Sequence, residues 1–175
     1  IKNAAEKASR VIKALKNYVH EDHFEKRTIV DVRSQIEMCL VLYQNKIKLG
    51  MEIITEFLTN PFIVGYSDQL NQIWINLINN ALYAVQFYGR LIIRIFFKDE
   101  YLCISFTDNG HGIADEIKSK IFKPFFTTKA AEDGSGLGLD ICKKIAEAHK
   151  GKIEFTSVPG ETCFIVYLNR YLEQE

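Results

Sequence analysis

Residues 2–20 set Ala4, Ala8, Val11, Leu15 and Tyr18 at alternating four- and three-residue intervals. That is the seam of a coiled coil or helical bundle, and Ala5, Ile12 and Val19 widen it. A stripe this wide on a terminal helix needs a partner: the rest of the domain, a missing helix or a second copy of the chain. A charged connection, "EDHFEK" (21–26), leads to a short strand at 27–30. Asp31 is placed to cap a helix over 32–46 with Ile36, Cys39, Leu40 and Tyr43 on one face. "MEIITEFL" (51–58) has strand character, and Asn60-Pro61 marks a turn. Ser67 or Asp68 can cap the next helix, which is predicted to run to about Phe87 and to be ended by Gly89. Residues 90–108 form two β-rich runs around Lys98-Asp99-Glu100, a hairpin. A helix over 137–149 follows, with Leu137, Ile141, Ile145 and Ala148 on one side. The strands "KIEFTS" and "TCFIVYL" close the chain. Segregated helices with a mixed or antiparallel sheet predict an α+β fold, a two-layer α/β sandwich preceded by a long N-terminal helix.

The 175 residues suit one compact domain with an appended helix, divided here as 1–24 for the helix and 25–175 for the domain. Composition is that of a soluble globular protein, 47% hydrophobic and 25% charged. Lys+Arg and Asp+Glu both number 22, so a nucleic-acid partner held by bulk electrostatics is not expected. Cys39, Cys103, Cys142 and Cys163 form no Cys-x-x-Cys pair. They are expected to be reduced, buried thiols of a cytosolic protein, and no Cys/His spacing spells a metal site. Arg94 interrupts the longest apolar run, near Leu91, so no membrane span is predicted. A start at Ile1 with no visible signal peptide points to a fragment of a longer protein. A cytoplasmic location is expected, whether or not the parent is anchored in a membrane.

The helix containing "WINLINNALYAV" (74–85) raises the chemical question. At about 100° per residue, Leu70, Trp74, Leu77, Ile78, Ala81 and Val85 share one broad side. Gln69, Gln72, Asn76, Asn80 and Tyr83 line another, so Asn76 and Asn80 stand one turn apart on a polar stripe. Asparagine is a mediocre helix former. An amide, however, offers a carbonyl oxygen to a hard cation and an N–H to phosphate without a carboxylate's repulsion of polyphosphate. Such a stripe suits a magnesium–triphosphate group; read alone, it is more simply a solvated helix face with incidental asparagines. "DNGHGI" (108–113) follows a strand. Asp108 can accept a hydrogen bond from an exocyclic amine such as adenine's, and Gly110 and Gly112 permit close backbone approach to a flat ring. By itself this stretch is also an ordinary Asp-Asn-Gly turn, with His111 exposed between two glycines. "GSGLGL" (134–139) opens a helix, where N–H groups and the dipole favour phosphate. Its spacing is neither the dinucleotide fingerprint nor a P-loop.

In this order, amide helix, strand–Asp-x-Gly-x-Gly, "IFKPFFTTK" (121–129) and Gly-x-Gly-x-Gly helix resemble the ATP-binding domain of sensor histidine kinases. That domain belongs to the gyrase, chaperone, histidine-kinase and mismatch-repair ATPase superfamily, the Bergerat fold. "NLINNA" resembles its N-box, "DNGHGI" and "GSGLGL" its glycine boxes, and "IFKPFFTTK" its F-box. "GKIEFTSVPGETCFIVYLN" resembles the family's last two strands, and the likeness covers roughly residues 27–170. Residues 2–20 resemble the second helix of the dimerisation and phosphoacceptor hairpin, an expected route to a homodimer.

The resemblance implies ATP as substrate and Mg²⁺ as cofactor. Asn80 would coordinate Mg²⁺ at the phosphates and Asn76 would support it, making these the catalytic pair. Asp108 would recognise the adenine amine; Gly110, Gly112 and Ile113 would shape its pocket, with Thr162 near the ring. Gly134, Ser135, Gly136, Leu137 and Gly138 would hold phosphates at the end of a mobile ATP lid, 127–135. Phe122, Phe125 and Phe126 would anchor that lid. Tyr83-Ala84 stands where many membrane sensor kinases carry Lys-Tyr. Tyr83 would still border the nucleotide, and Lys129 becomes the candidate for the missing basic phosphate contact. Lys123, where the F-box often has an acid, is read as solvated.

Gyrase, chaperone and mismatch-repair ATPases place a glutamate four residues before the metal asparagine, as base for water attack; this chain has Asn76 there. Slow hydrolysis and phosphoryl transfer to a positioned side chain are therefore expected. His20, His23, His111 and His149 are read as structural or solvated, because none sits in a phosphoacceptor motif with its downstream proline. The implied partners are the parent kinase's phosphoacceptor-histidine helix and a response-regulator receiver domain. The alternatives are an ATPase or a non-histidine protein kinase of the same superfamily, or a non-catalytic interaction module. Intact Asn80, Asp108 and glycine boxes argue against the last.

Overall fold

The computed structural model describes residues 26–57, 61–86, 88–130 and 134–170. The helix and homodimer seam expected over 2–20 lie outside the described residues, as do His20 and His23.

Strand β1 (Thr28–Asp31) pairs antiparallel with β3 (Phe62–Gly65) in a short ribbon. Asp31 ends β1 and caps helix α1 (Val32–Leu42), its Oδ1 accepting the Ser34 N–H at 3.1 Å. Val32, Ile36 and Cys39 form the buried face of α1. The helix expected over 32–46 stops at Leu42, and Gln44–Ile47 forms a separate turn, α2. The buried face has run out by then, for none of residues 44–47 is fully buried and only Ile47 packs partly against the core, and the Tyr43 carbonyl takes N–H groups from both Lys46 and Ile47. β3 went unanticipated. Four residues after Pro61 carry too little alternation to read, and their partner lies some thirty residues away.

The main sheet has the order β2-β4-β5-β7-β6, with β2 Met51–Phe57, β4 Gly89–Lys98, β5 Tyr101–Asp108, β6 Lys152–Val158 and β7 Glu161–Asn169. β2 and β4 are parallel, and every other neighbouring pair is antiparallel. β4 and β5 form the expected hairpin, closed by Asp99 in the left-handed region (φ 53°).

One sheet face is covered by α1, α3 (Ser67–Ala84) and α5 (Gly138–Ala148); a short helix α4 (Asp115–Lys118) lies between β5 and α5. Leu91, Ile93 and Ile95 of β4, Leu102, Ile104 and Phe106 of β5, and Phe164, Val166 and Leu168 of β7 supply the sheet's side of the core. α3 contributes Leu70, Ile73, Trp74, Leu77, Ile78, Ala81 and Leu82. Trp74 stacks on Phe106 with ring centroids 6.0 Å apart, and its indole N–H donates to Gln35 Oε1 at 2.8 Å. Truncating a side chain such as Leu77 in this layer would cost about 2–5 kcal/mol.

α3 differs from expectation at both ends. Tyr66, not Ser67 or Asp68, occupies the cap position, and no side chain caps the helix. The Tyr66 N–H instead donates to His149 Nε2 at 3.0 Å. The helix ends at Ala84 because Gln86 enters the left-handed region (φ 51°). The expected end at Phe87 lies outside the described residues.

Candidate active site

α3 serves as a ruler. Its 76, 80 and 84 positions each meet a different segment, one turn apart, spanning about 12 Å in all. Asn76 Nδ2 donates to the Gly138 carbonyl at 3.2 Å, at the first turn of α5. Asn80 Oδ1 accepts from Lys129 Nζ at 2.8 Å. The Ala84 carbonyl faces the His111 N–H at 3.4 Å, and a Cβ on Gly110 would lie 2.7 Å from Ala84 backbone atoms. The three motifs are thus aligned along one helix, bounding a cavity of about 230 Å³.

At the Ala84 end, Asp108 finishes β5 almost fully buried, and its Oδ1 accepts the Gly110 N–H at 2.9 Å. Burial pushes its carboxyl pKa up, and the Gly110 hydrogen bond opposes that shift. Gly112 is left-handed (φ 81°), and a Cβ there would stand 2.5 Å from the Val158 carbonyl oxygen. The Ile113 N–H donates to Ser157 Oγ at 2.8 Å, and Ser157 Oγ lies 2.8 Å from Thr162 Oγ1. The β6–β7 hairpin therefore holds the first glycine stretch in place and brings Thr162 to the cavity wall.

At the other end stand the amides and the second glycine stretch. Lys129 is fixed by the Asn80 oxygen, and its ammonium lies 4.5 Å from the centroid of the Tyr83 ring. Gly136 is left-handed (φ 71°), and a Cβ there would fall 2.4 Å from the Phe125 carbonyl carbon. This contact seats the phenylalanine segment against the glycine box. Phe122 packs edge-on against Phe155 and Phe164, centroids 5.9 and 6.5 Å away, and Phe126 lines the cavity. Phe125 departs from its expected role as an anchor: it is 63% exposed, with φ 64°. Residues 131–133 of the expected lid lie outside the described residues.

Asn76, Asn80, Tyr83, Asp108, Gly112, Ile113, Lys129, Gly134, Ser135, Gly136, Gly138 and Thr162 all line the cavity. Gly110 and Leu137 do not. Gly110 is held behind Asp108, and Leu137 is an apolar residue, 2% exposed, at the start of α5. Asn79, His111, Thr127, Thr128 and Phe164 also line it and were missed, as was Ser157 behind it. Ser157 carried no readable signal, since its partner Ile113 is 44 residues away. His111 is exposed as expected, its ring Nδ1 2.6 Å from the Gly112 carbonyl. His149 is structural: Nδ1 lies 2.7 Å from the Ile145 carbonyl while Nε2 accepts from Tyr66, and burial lowers its pKa.

No cluster of three or more His, Cys, Asp or Glu able to hold a metal exists among the described residues. Among the described residues the one cavity-lining carboxylate is that of Asp108, tied to the glycine stretch. A neutral amide oxygen with no acid among its described neighbours fits Mg²⁺ that arrives with the oxygens of a polyphosphate, and would hold the bare ion poorly. No helix among the described residues is long and apolar enough to cross a membrane.

Residues 65–172 match the family described as histidine kinase-, DNA gyrase B- and HSP90-like ATPases. The signal transduction histidine-protein kinase AtoS of Escherichia coli (strain K12) is 35% identical over 156 residues, 87% of this chain and 25% of its own length. The sensory histidine kinase/phosphatase NtrB of Proteus hauseri is 30% identical over 175 residues, 93% of this chain and 50% of its own. The chain thus spans a quarter to a half of the length of these curated relatives. The catalytic domain of histidine kinase ThkA superimposes with a TM-score of 0.75 at 32% identity, over 82% of this chain and 95% of that one. A whole solved domain lines up with this fold and a family match spans the three motif-bearing segments. The chain accordingly belongs to the histidine kinase-, DNA gyrase B- and HSP90-like ATPases, as the ATP-binding catalytic domain of a sensor histidine kinase.

Proposed function

We propose that this domain binds Mg²⁺-ATP along α3 and transfers the γ-phosphate to a histidine on a helix of the parent kinase, for relay to a response-regulator aspartate. The supporting observation is the cavity's charge pattern. Among the described residues, the Asn76 and Asn80 amides and Lys129 stand at one end, and the one lining carboxylate, Asp108, is committed to the other. Among the described residues no lining carboxylate stands at the amide end to activate water, and Asn76 stands one turn before Asn80, which together disfavour hydrolysis relative to transfer to a positioned side chain.

In this reading Asp108 accepts from the adenine amine, while Gly110, Gly112 and Ile113 shape the ring's pocket beside Thr162. Asn80 is the metal ligand, supported by Asn76. Lys129 and Tyr83 border the phosphates, with the N–H groups of Gly134, Ser135, Gly136 and Gly138 at the start of α5; Leu137 acts from behind as packing. When bound, Mg²⁺ neutralises charge on the transferring phosphate. The chain's own part is placement: a rigid helix holds both ends of the nucleotide in line. The parent is proposed to present this domain in the cytoplasm.

The test is a labelled-ATP assay. The domain alone should give no stable self-phosphorylation and only slow release of inorganic phosphate. Supplying the parent's histidine helix in trans should yield acid-labile label on that helix. Rapid hydrolysis with no label on the helix, or label at His20, would overturn the assignment.

A further inference from the structure

The Asn80–Lys129 contact gives a residue-level reason for dependence on the metal, and it rests on the nucleotide reading above. An ammonium 2.8 Å from Asn80 Oδ1 occupies the oxygen that a hard cation would use. It is held there from two directions, because the Tyr83 ring lies 4.5 Å away, one turn along the same face of α3. The backbone N–H of Lys129 donates to Thr127 Oγ1 at 3.1 Å, so the side chain and its local turn are fixed together. Magnesium takes its ligands at about 2.1 Å. A dication and an ammonium sharing one amide oxygen would sit roughly 4 Å apart and repel each other.

We propose that Lys129 is a resident counter-cation. In the nucleotide-free domain its ammonium holds the Asn80 oxygen, and entry of the metal ejects it toward the phosphates, moving the 127–130 segment. Lys129 then has two roles at two stages. It keeps the Asn80 oxygen paired and ordered before nucleotide arrives, and it becomes a phosphate contact afterwards. Without magnesium, the lysine itself is the cation that offsets the polyphosphate. This makes Lys129 the residue that sets how strongly binding depends on Mg²⁺, distinct from Asn80, which supplies the ligand atom.

Two measurements on this domain test it. The first needs no nucleotide: hydrogen exchange of the backbone amides at residues 128–130 in wild type, Lys129→Met, Asn80→Ala and the double variant. Each single change should speed exchange fivefold or more, and the double variant should go no faster than the singles. Unchanged rates would overturn the clamp. The second is titration with ATP in Mg²⁺ and in EDTA. Lys129→Met should weaken Mg²⁺-free binding by tenfold or more and Mg²⁺-dependent binding much less, so the Mg²⁺ dependence steepens. Equal weakening in both conditions would overturn the proposal. If wild type bound no ATP in either buffer, the nucleotide reading would fall while the exchange result still judged the clamp. If ATP bound with Mg²⁺ dependence but exchange rates did not move, the clamp alone would fall.

Discussion

The two ends of the cavity are built differently. The Ala84 end is made by strand termini: Asp108 ends β5, and the Ser157–Thr162 pair locks the glycine stretch to the β6–β7 hairpin. Its groups are buried, and their partners are fixed by sheet register. The Asn76–Asn80 end is made by one helix face and by a connecting segment that reaches back to it through the Lys129 side chain. A flat base that never changes shape suits the first, and a metal-bearing group that must react suits the second. Substitutions at the two ends should therefore separate affinity for the base from dependence on the metal.

The largest effect is expected at the strand end. Asp108→Ala removes a charged acceptor, about 1.5–3 kcal/mol for one such bond, and also frees the Gly110 N–H. Nucleotide affinity should fall roughly 100-fold in both Mg²⁺ and EDTA, as read by a fluorescent ATP analogue. Asp108→Asn should lose binding too, since an amide that still accepts from Gly110 presents an N–H where an acceptor is needed. Its nucleotide-free melting temperature should equal or exceed wild type, because burial works against the native carboxylate. A marked drop in that melting temperature would mean Asp108 is structural and not a recognition group.

Asn80→Ala comes next, at the helix end. Affinity in Mg²⁺ should fall about tenfold, toward the value in EDTA, while adenosine binds as before. Equal losses for adenosine and ATP would erase the distinction between the two ends. Ser157→Ala is smaller and returns to the strand end. Losing the acceptor for the Ile113 N–H should cost about 1–2 kcal/mol, or a few degrees in melting temperature. Adenosine and ATP should weaken together by a few-fold, with the Mg²⁺ dependence unchanged.

What could be read in the chain beforehand follows the same division. The amide stripe was legible because helical periodicity places Asn76 and Asn80 without knowledge of anything else, and α3 buries the side that periodicity assigned to the core. Asp108 and the glycines were legible as local turn chemistry. The Asn80–Lys129 bond was not, since the residues lie 49 apart and neither has a pattern that names the other. Ser157 was hidden for the same reason, inside an ordinary strand. The β1–β3 ribbon was missed because short strands carry little period, and the cap of α3 because its Tyr66 N–H is satisfied by a histidine 83 residues away. Chemistry carried by one element was visible; chemistry made by closing two elements together was not.

That histidine supplies the smallest prediction. His149 ends α5 and ties it to the start of α3, while Asn76 ties the other end of α5 to the middle of the same helix. The two helices that frame the phosphate end are thus fastened at both ends of α5, and the proposed response to the metal falls to the 127–130 segment. His149 can do this only as the neutral ring, because Nε2 must accept from the Tyr66 N–H; burial accordingly holds its pKa below the ordinary 6.5. Once pH drops below 6.5 the unfolded chain binds a proton that the folded protein resists, so stability rises with pH across that window. The contribution is complete above pH 6.5 and is lost as the solution is acidified toward the folded value. Melting temperature should decline from pH 7.5 to pH 5.5 in wild type, and the His149→Gln variant, less stable throughout, should show a shallower decline. If wild type and variant declined in parallel, the pH sensitivity would lie elsewhere. If that decline came with a parallel loss of Mg²⁺ dependence, the rigid frame and the responding segment would be one unit, and the contrast between the cavity's two ends would have to be redrawn.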